Sequence, residues 1–235
     1  MAREREKSGF WVWLTAVVFY PTTWLLGRWQ AVGLDRLPAT GPVLVVANHI
    51  SYLDPVYSAV FVHRARRVPR FMAKHSLWNV PVLGTVLRGS GQIPVYRESI
   101  DAQRSLRSAT EALRAGRVVV IYPEGTITRD PAGWPMHSRT GVARIALTND
   151  VPVVPLVHWG TRDVYDHYRK RFRPLPRKRL VLRCGDPIDL SEYRGREVDA
   201  GLLREVTDHL MTVVRDQLAE VRGEPAPAVF YRRAG

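Results

Sequence analysis

The sequence predicts a single α/β domain, with a central, mostly parallel or mixed sheet flanked by helices and an apolar helical segment in front of it. Three observations carry this. Apolar runs of strand length alternate with longer runs of helical period along the chain. Two of the strand-like runs, Val43–Ala47 and Val118–Ile121, are wholly aliphatic and read as buried. At 235 residues, 46% of them hydrophobic, the chain is long enough to enclose one large core.

The elements follow in order. Arg3, Arg5 and Lys7 precede an apolar run over residues 10–26 that holds Trp11, Trp13 and Trp24 and is broken by Pro21-Thr22-Thr23. The run is shorter than the ~20 residues of a full span, tryptophan favours the bilayer interface, and flanking basic residues favour anionic lipid. Residues 1–34 are therefore expected to form two short membrane-associating helices lying in one leaflet. A tilted transmembrane helix, a cleaved signal peptide and a helical hairpin buried in the core stay open as alternatives. The main domain is expected over 35–222. Val43–Ala47 is its first strand, 56–65 a helix, and 66–73 a basic link into a short strand. Gly89-Ser90-Gly91 opens a strand over 92–96. Ala102, Leu106, Ala109 and Leu113 recur at helical spacing, and Gly116 stops that helix. Residues 117–122 form a buried strand and 140–147 a helix. Pro152 and Pro155 argue that the strand at 151–157 is an edge or irregular one. Residues 169–179 make a basic loop, either solvated or in contact with lipid headgroups or an acidic carrier. A strand at 180–184 ends in Cys184, which reads as a small buried apolar residue. A long amphipathic helix covers 202–218, and the Pro-containing tail, 223–235, is expected to be mobile.

The net charge is +13, and only four of the 35 basic residues are lysines. Guanidinium groups bind phosphate bidentately and stay charged, so the partner is a nucleic acid, an anionic membrane or an anionic substrate. No known motif interleaves aromatic with basic residues, so nucleic acid is not the expected partner. A single cysteine excludes an internal disulfide and a cysteine-based zinc cluster. No further metal-ligand cluster accompanies His49 and Asp54, which argues against a metal-dependent hydrolase.

Three stretches carry chemistry. In Asn48-His49-Ile50-Ser51-Tyr52-Leu53-Asp54 a histidine stands at a strand end and an aspartate at a helix start marked by Pro55. Within a helix the two would lie about 140° apart, but across a strand-loop-helix corner they can meet. A carboxylate on one imidazole nitrogen fixes the tautomer and frees the other nitrogen as a base. Asp54 is also readable as a helix cap alone. Arg97 ends the strand that Gly91 introduces, where ligands of open α/β sheets bind, although taken alone it reads as a surface arginine. Tyr122-Pro123-Glu124-Gly125-Thr126 follows the most apolar strand. Gly125 there allows close backbone approach, and Glu124 can orient an arginine or accept from a substrate hydroxyl.

Four blocks together resemble the glycerolipid acyltransferase family: His49 to Asp54; Gly91, Ile93 and Arg97; Pro123 to Thr126; and Val151, Pro152 and Pro155. The resemblance spans about residues 35 to 190. It implies that His49 is the general base and Asp54 its orienting partner. It further implies that Lys74 and Arg97 hold an acceptor phosphate and that Glu124, Gly125 and Thr126 belong to the acceptor site. The implied substrates are a lysophospholipid and acyl-CoA or acyl-carrier protein, with no cofactor and no metal, at the cytoplasmic face of the membrane. The sequence departs from the family at Ile127, where an arginine is common and Arg129 is a substitute, and at Arg139, where a lysine is common.

Overall fold

The computed structural model describes residues 9–96 and 99–232, so Arg97 lies outside the described residues. It contains a seven-stranded sheet in the order β1-β9-β6-β2-β5-β3-β4. The strands are β1 (Gly27–Val32), β2 (Val43–Ala47), β3 (Pro69–Lys74), β4 (Ile93–Val95), β5 (Val118–Ile121), β6 (Val153–Trp159) and β9 (Lys178–Cys184). A separate hairpin pairs the two-residue strands β7 (Tyr165–Asp166) and β8 (Arg171–Phe172), the second of them inside the basic stretch. Pairing is parallel from β6 through β2, β5 and β3 to β4, and again between β1 and β9. β9 meets β6 antiparallel. The expected α/β sheet is present, mostly parallel and closed by two reversed strands.

Every residue of β2 and β5 is buried, as strands covered on both faces must be. On one face Leu44, Val46, Val119 and Ile121 pack under α4 (Ser99–Arg114), α5 (Gly141–Thr148) and α7 (Ala200–Arg222). On the other, Val43, Val45, Val118 and Val120 pack under Tyr57 and Phe61 of α2 (Asp54–Arg64). The N-terminal helix α1 (Phe10–Leu26) lies against α2, β1 and α3 (Leu83–Gly89).

Four expectations are corrected. The apolar segment is one helix, not two. It runs through Pro21 while the hydroxyls of Thr22 and Thr23 donate to the carbonyls of Val18 and Tyr20, giving those acceptors side-chain partners. It is not a buried hairpin, because Phe10, Trp13, Val17 and Trp24 are exposed. The sheet begins at Gly27, inside the region assigned to helices, as β1 pairs with β9 from Gly27↔Lys178 onward. β6 is interior despite its prolines. The carbonyl of Pro155 accepts from Gly185 N–H, so Pro155 turns its missing donor toward the end of β9, where the ladder stops, and not toward β2. The tail is docked as far as Tyr231, whose backbone bridges Met136 and accepts from His137 N–H.

Candidate active site

His49 and Asp54 stand where β2 ends and α2 begins, at the carboxyl edge of the parallel strands. Asn48 fixes the end of β2. Its side-chain amide donates to the His158 carbonyl at 3.0 Å and accepts from His158 N–H at 2.7 Å, so it extends the β2–β6 ladder with a side chain. The chain then turns, and His49 Nδ1 meets Asp54 Oδ2 at 2.9 Å. The same oxygen accepts from the backbone N–H groups of Ile50 and Ser51 at 2.6 and 2.8 Å. Asp54 Oδ1 accepts from the Thr161 hydroxyl at 2.5 Å. Asp54 therefore folds the preceding loop back on itself and does not cap its own helix.

Thr161 reaches Asp54 because Gly160 precedes it at φ 88°. A Cβ on Gly160 would meet the Arg179 carbonyl at 2.3 Å, so only glycine allows the approach.

Asp54 is 0% exposed. Burial works to raise its carboxyl pKa, but the His49 and Thr161 hydrogen bonds and the neighbouring imidazoles outweigh it and hold the group below the ordinary value. His49, by contrast, keeps 12% of its side chain exposed. Its ring stacks on Tyr122 at 4.5 Å between centroids. Nε2 has no protein hydrogen bond among the described residues, and His49 lines the large cavity. Below, Ser58 links the Tyr122 hydroxyl (3.0 Å) to His158 Nε2 (2.9 Å). Burial pushes His158 down to about 4, so it is neutral at neutral pH.

Glu124 does something other than the sequence suggested. It is 4% exposed, and its two oxygens accept from His49 N–H at 2.8 Å and Met136 N–H at 3.0 Å. The His49 carbonyl accepts from Thr128 N–H at 2.7 Å. The Pro123–Thr128 turn therefore grips the backbone of His49 from both sides. Burial raises Glu124 to about 8 against the pull of those amides. Gly125 makes the turn at φ 70°, and its N–H is taken by the Tyr122 carbonyl.

The cavity has a volume of 1390 Å³. Lys74, Glu124, Gly125 and Thr126 line it with His49, so the structure gathers every described site residue except Asp54, which stands behind His49. One limb is apolar, walled by Ala16 and Phe19 of α1, Val60 of α2 and Leu87 of α3. The other is cationic, with Arg129, Arg139 and Arg204. Ile127 is buried, so the guanidinium on this turn comes from Arg129. Sequence reasoning missed Thr161, Tyr122 and the clamp by Asn48 and Glu124. Asn48 and Glu124 stood inside the quoted motifs, but nothing local marks Thr161, 107 positions from Asp54. Among the described residues no group of three or more His, Cys, Asp or Glu side chains could hold a metal ion.

A carboxylate-paired imidazole at the carboxyl edge of a mostly parallel sheet, facing a cavity lined by both apolar and cationic side chains, has the arrangement of an α/β enzyme site. Comparison with known proteins narrows the class. The family model described as Acyltransferase matches residues 28–159, and the chain belongs to that family. It is an acyltransferase. A 1-acyl-sn-glycerol-3-phosphate acyltransferase of Borreliella burgdorferi is 25% identical over 210 residues, covering 84% of this chain and 73% of that one. A chloroplast protein of the same name from Brassica napus is 29% identical over 156 residues, and the match covers 66% of this chain and 42% of that protein. The crystal structure of the 1-acyl-sn-glycerophosphate acyltransferase of Thermotoga maritima superposes with a TM-score of 0.68 at 25% identity, covering 97% of this chain and 86% of that one.

Proposed function

We propose that this acyltransferase moves a fatty acyl group from a thioester donor to the free hydroxyl of 1-acylglycerol-3-phosphate, giving phosphatidic acid. One observation carries the reading: His49 lines a single cavity together with apolar side chains of α1, α2 and α3 and with the cationic Lys74, Arg129, Arg139 and Arg204. Acyl chains fit the apolar limb, and Lys74 and Arg129 suit the acceptor phosphate. The names of the relatives agree with this acceptor.

His49 Nε2 takes the proton of the acceptor hydroxyl as its oxygen attacks the thioester carbonyl. Asp54 stabilises the imidazolium that forms. Collapse of the tetrahedral intermediate breaks the carbon–sulfur bond, and the departing thiolate receives the proton from His49. General-base help of this kind is worth ~10²–10⁴ in rate. Glu124, Thr128 and Asn48 hold the backbone from which His49 projects, so they act through His49.

The reaction takes place at a membrane surface. The outer face of α1 exposes Phe10, Trp13, Val17 and Trp24 while the opposite face lines the cavity. Among the described residues no helix is long and apolar enough to cross a membrane. An apolar face with aromatic ends suits a helix lying in one leaflet. The test is product formation from acyl-CoA with lysophosphatidate, against other lysophospholipids and glycolipid hydroxyls. Preference for lysophosphatidate supports the reading. Turnover only on another hydroxylated lipid keeps the reaction and overturns the acceptor.

A further inference from the structure

The cationic limb continues beyond the turn at Glu124, and the end of the chain helps to build it. Arg222, at the close of α7, lies between the Trp134 and Trp159 rings at 4.0 and 4.2 Å and donates to the Ala132 carbonyl at 3.0 Å. Phe230 packs under the Arg215 guanidinium at 5.3 Å. Tyr231 then pairs with Met136 and His137. This course delivers Arg232 to the cavity wall beside Arg139 and Arg204. Arg204 is anchored to the Ser138 carbonyl (2.7 Å) and to Asp208 (3.1 Å). Arg139 crosses Gly125, where a Cβ would meet its Nε at 3.1 Å. Among the described residues Arg139 and Arg232 have no ion-pair partner. His137 sits in the field of Arg204 and Arg232, which, after burial, hold it below its ordinary pKa. Three guanidinium groups around a single carboxylate repel one another unless an anion lies between them.

Topology gives the cluster a direction. Arg204 belongs to α7, on the face of the sheet opposite α1 and α2, whereas the apolar limb lies between α1, α2 and α3. A thioester whose acyl chain fills the apolar limb presents its carbonyl at His49, so its sulfur and carrier leave toward the α7 face. We propose that Arg139, Arg204 and Arg232, closed by the returning C-terminal segment, form a subsite for the phosphates of a coenzyme A thioester, separate from the Lys74 end of the cavity. This rests on the acyl-transfer reading above. Guanidinium forks match phosphate oxygens in charge and geometry.

The test uses the full-length chain with Arg232→Ala and the double variant Arg139→Ala/Arg232→Ala, with thermal unfolding as the check on folding. The KM for acyl-CoA is expected to rise about tenfold in the first and more in the second, with the KM for lysophosphatidate within threefold of wild type. With acyl-pantetheine, which lacks the phosphates, variants and wild type should give the same kcat/KM. Arg232→Lys should recover part of the loss. An unchanged KM for acyl-CoA, an equal loss with acyl-pantetheine, or a rise confined to lysophosphatidate would overturn the subsite. Calorimetric titration with coenzyme A alone separates the two proposals. Wild type that binds coenzyme A more tightly than the double variant, yet turns over no acyl-CoA, sinks the acyl-transfer reading and keeps the subsite. Wild type that uses only acyl-carrier protein and binds no coenzyme A removes the subsite.

Discussion

Replacing Asp54 with Asn isolates the charge behind His49, because the site dictates how the amide must sit. Oδ2 accepts three bonds, from His49 Nδ1 and the N–H groups of Ile50 and Ser51, and Oδ1 accepts one from Thr161. Turning the amide nitrogen toward the loop would oppose two backbone donors to a third donor, at ~1–3 kcal/mol for each group left unsatisfied. With its oxygen toward the loop, the NH₂ faces Thr161, whose hydroxyl can rotate to accept it. Asp54→Asn thus keeps the loop and the His49 tautomer and removes only the charge. At the 2.9 Å separation, a carboxylate and an imidazolium attract by about 6 kcal/mol at an effective dielectric of ~20. With the proton half transferred in the transition state, about 3 kcal/mol is felt, or roughly 10²-fold in kcat. Thiol release from acyl-CoA in the presence of lysophosphatidate measures it. The expected result is a kcat lower by about two orders of magnitude, with the acceptor KM within threefold. A kcat within threefold of wild type, or a loss confined to KM, refutes the role given to the charge.

Glu124→Gln should lower kcat about 10- to 100-fold with little change in acceptor KM, since one backbone N–H of the clamp then meets a donor; a loss carried by KM alone would return Glu124 to the acceptor site. The same variant has a pH signature. The Glu124 carboxyl, raised to about 8 in the fold, favours the folded state below its unfolded value of ~4.3, and that contribution is lost as the pH rises through about 8. Between pH 6.5 and 8.5 the urea midpoint of wild type should fall more than that of Glu124→Gln, since His158 contributes equally to both; parallel curves would contradict this. Replacing Trp13 and Trp24 with Ser, both exposed and outside the cavity lining, should weaken binding to anionic vesicles about tenfold per residue. Turnover on detergent-dispersed substrate should not change, and undiminished vesicle binding would remove α1 from the membrane contact.

Much of this site was legible because its chemistry lies in local words. His49 and Asp54 are separated by one turn of chain, and the aliphatic runs on either side announce a buried strand and a helix. What the words could not show was direction. Glu124 was read as facing a substrate, yet it faces the backbone of His49, because β2 and β5 are neighbours and their carboxyl ends converge. Pro155 argued for an edge, but a proline donor is missing on one side of a strand only, and here that side meets the end of β9. β1 was hidden behind the apolar helix. Its six residues show the alternation of a strand with one covered face, too short to stand out beside a largely apolar helix of seventeen residues. Thr161 and the docked tail are set by tertiary contacts that leave no local trace.

The most direct measurement is turnover of His49→Ala beside its affinity for lysophosphatidate. Loss of ~10³-fold or more in turnover, with acceptor binding within threefold and no acyl group trapped on the wild-type chain, is the expected outcome. Turnover within tenfold of wild type, or an acyl-enzyme isolated from the wild-type reaction, would show that the proton leaves the hydroxyl by another route.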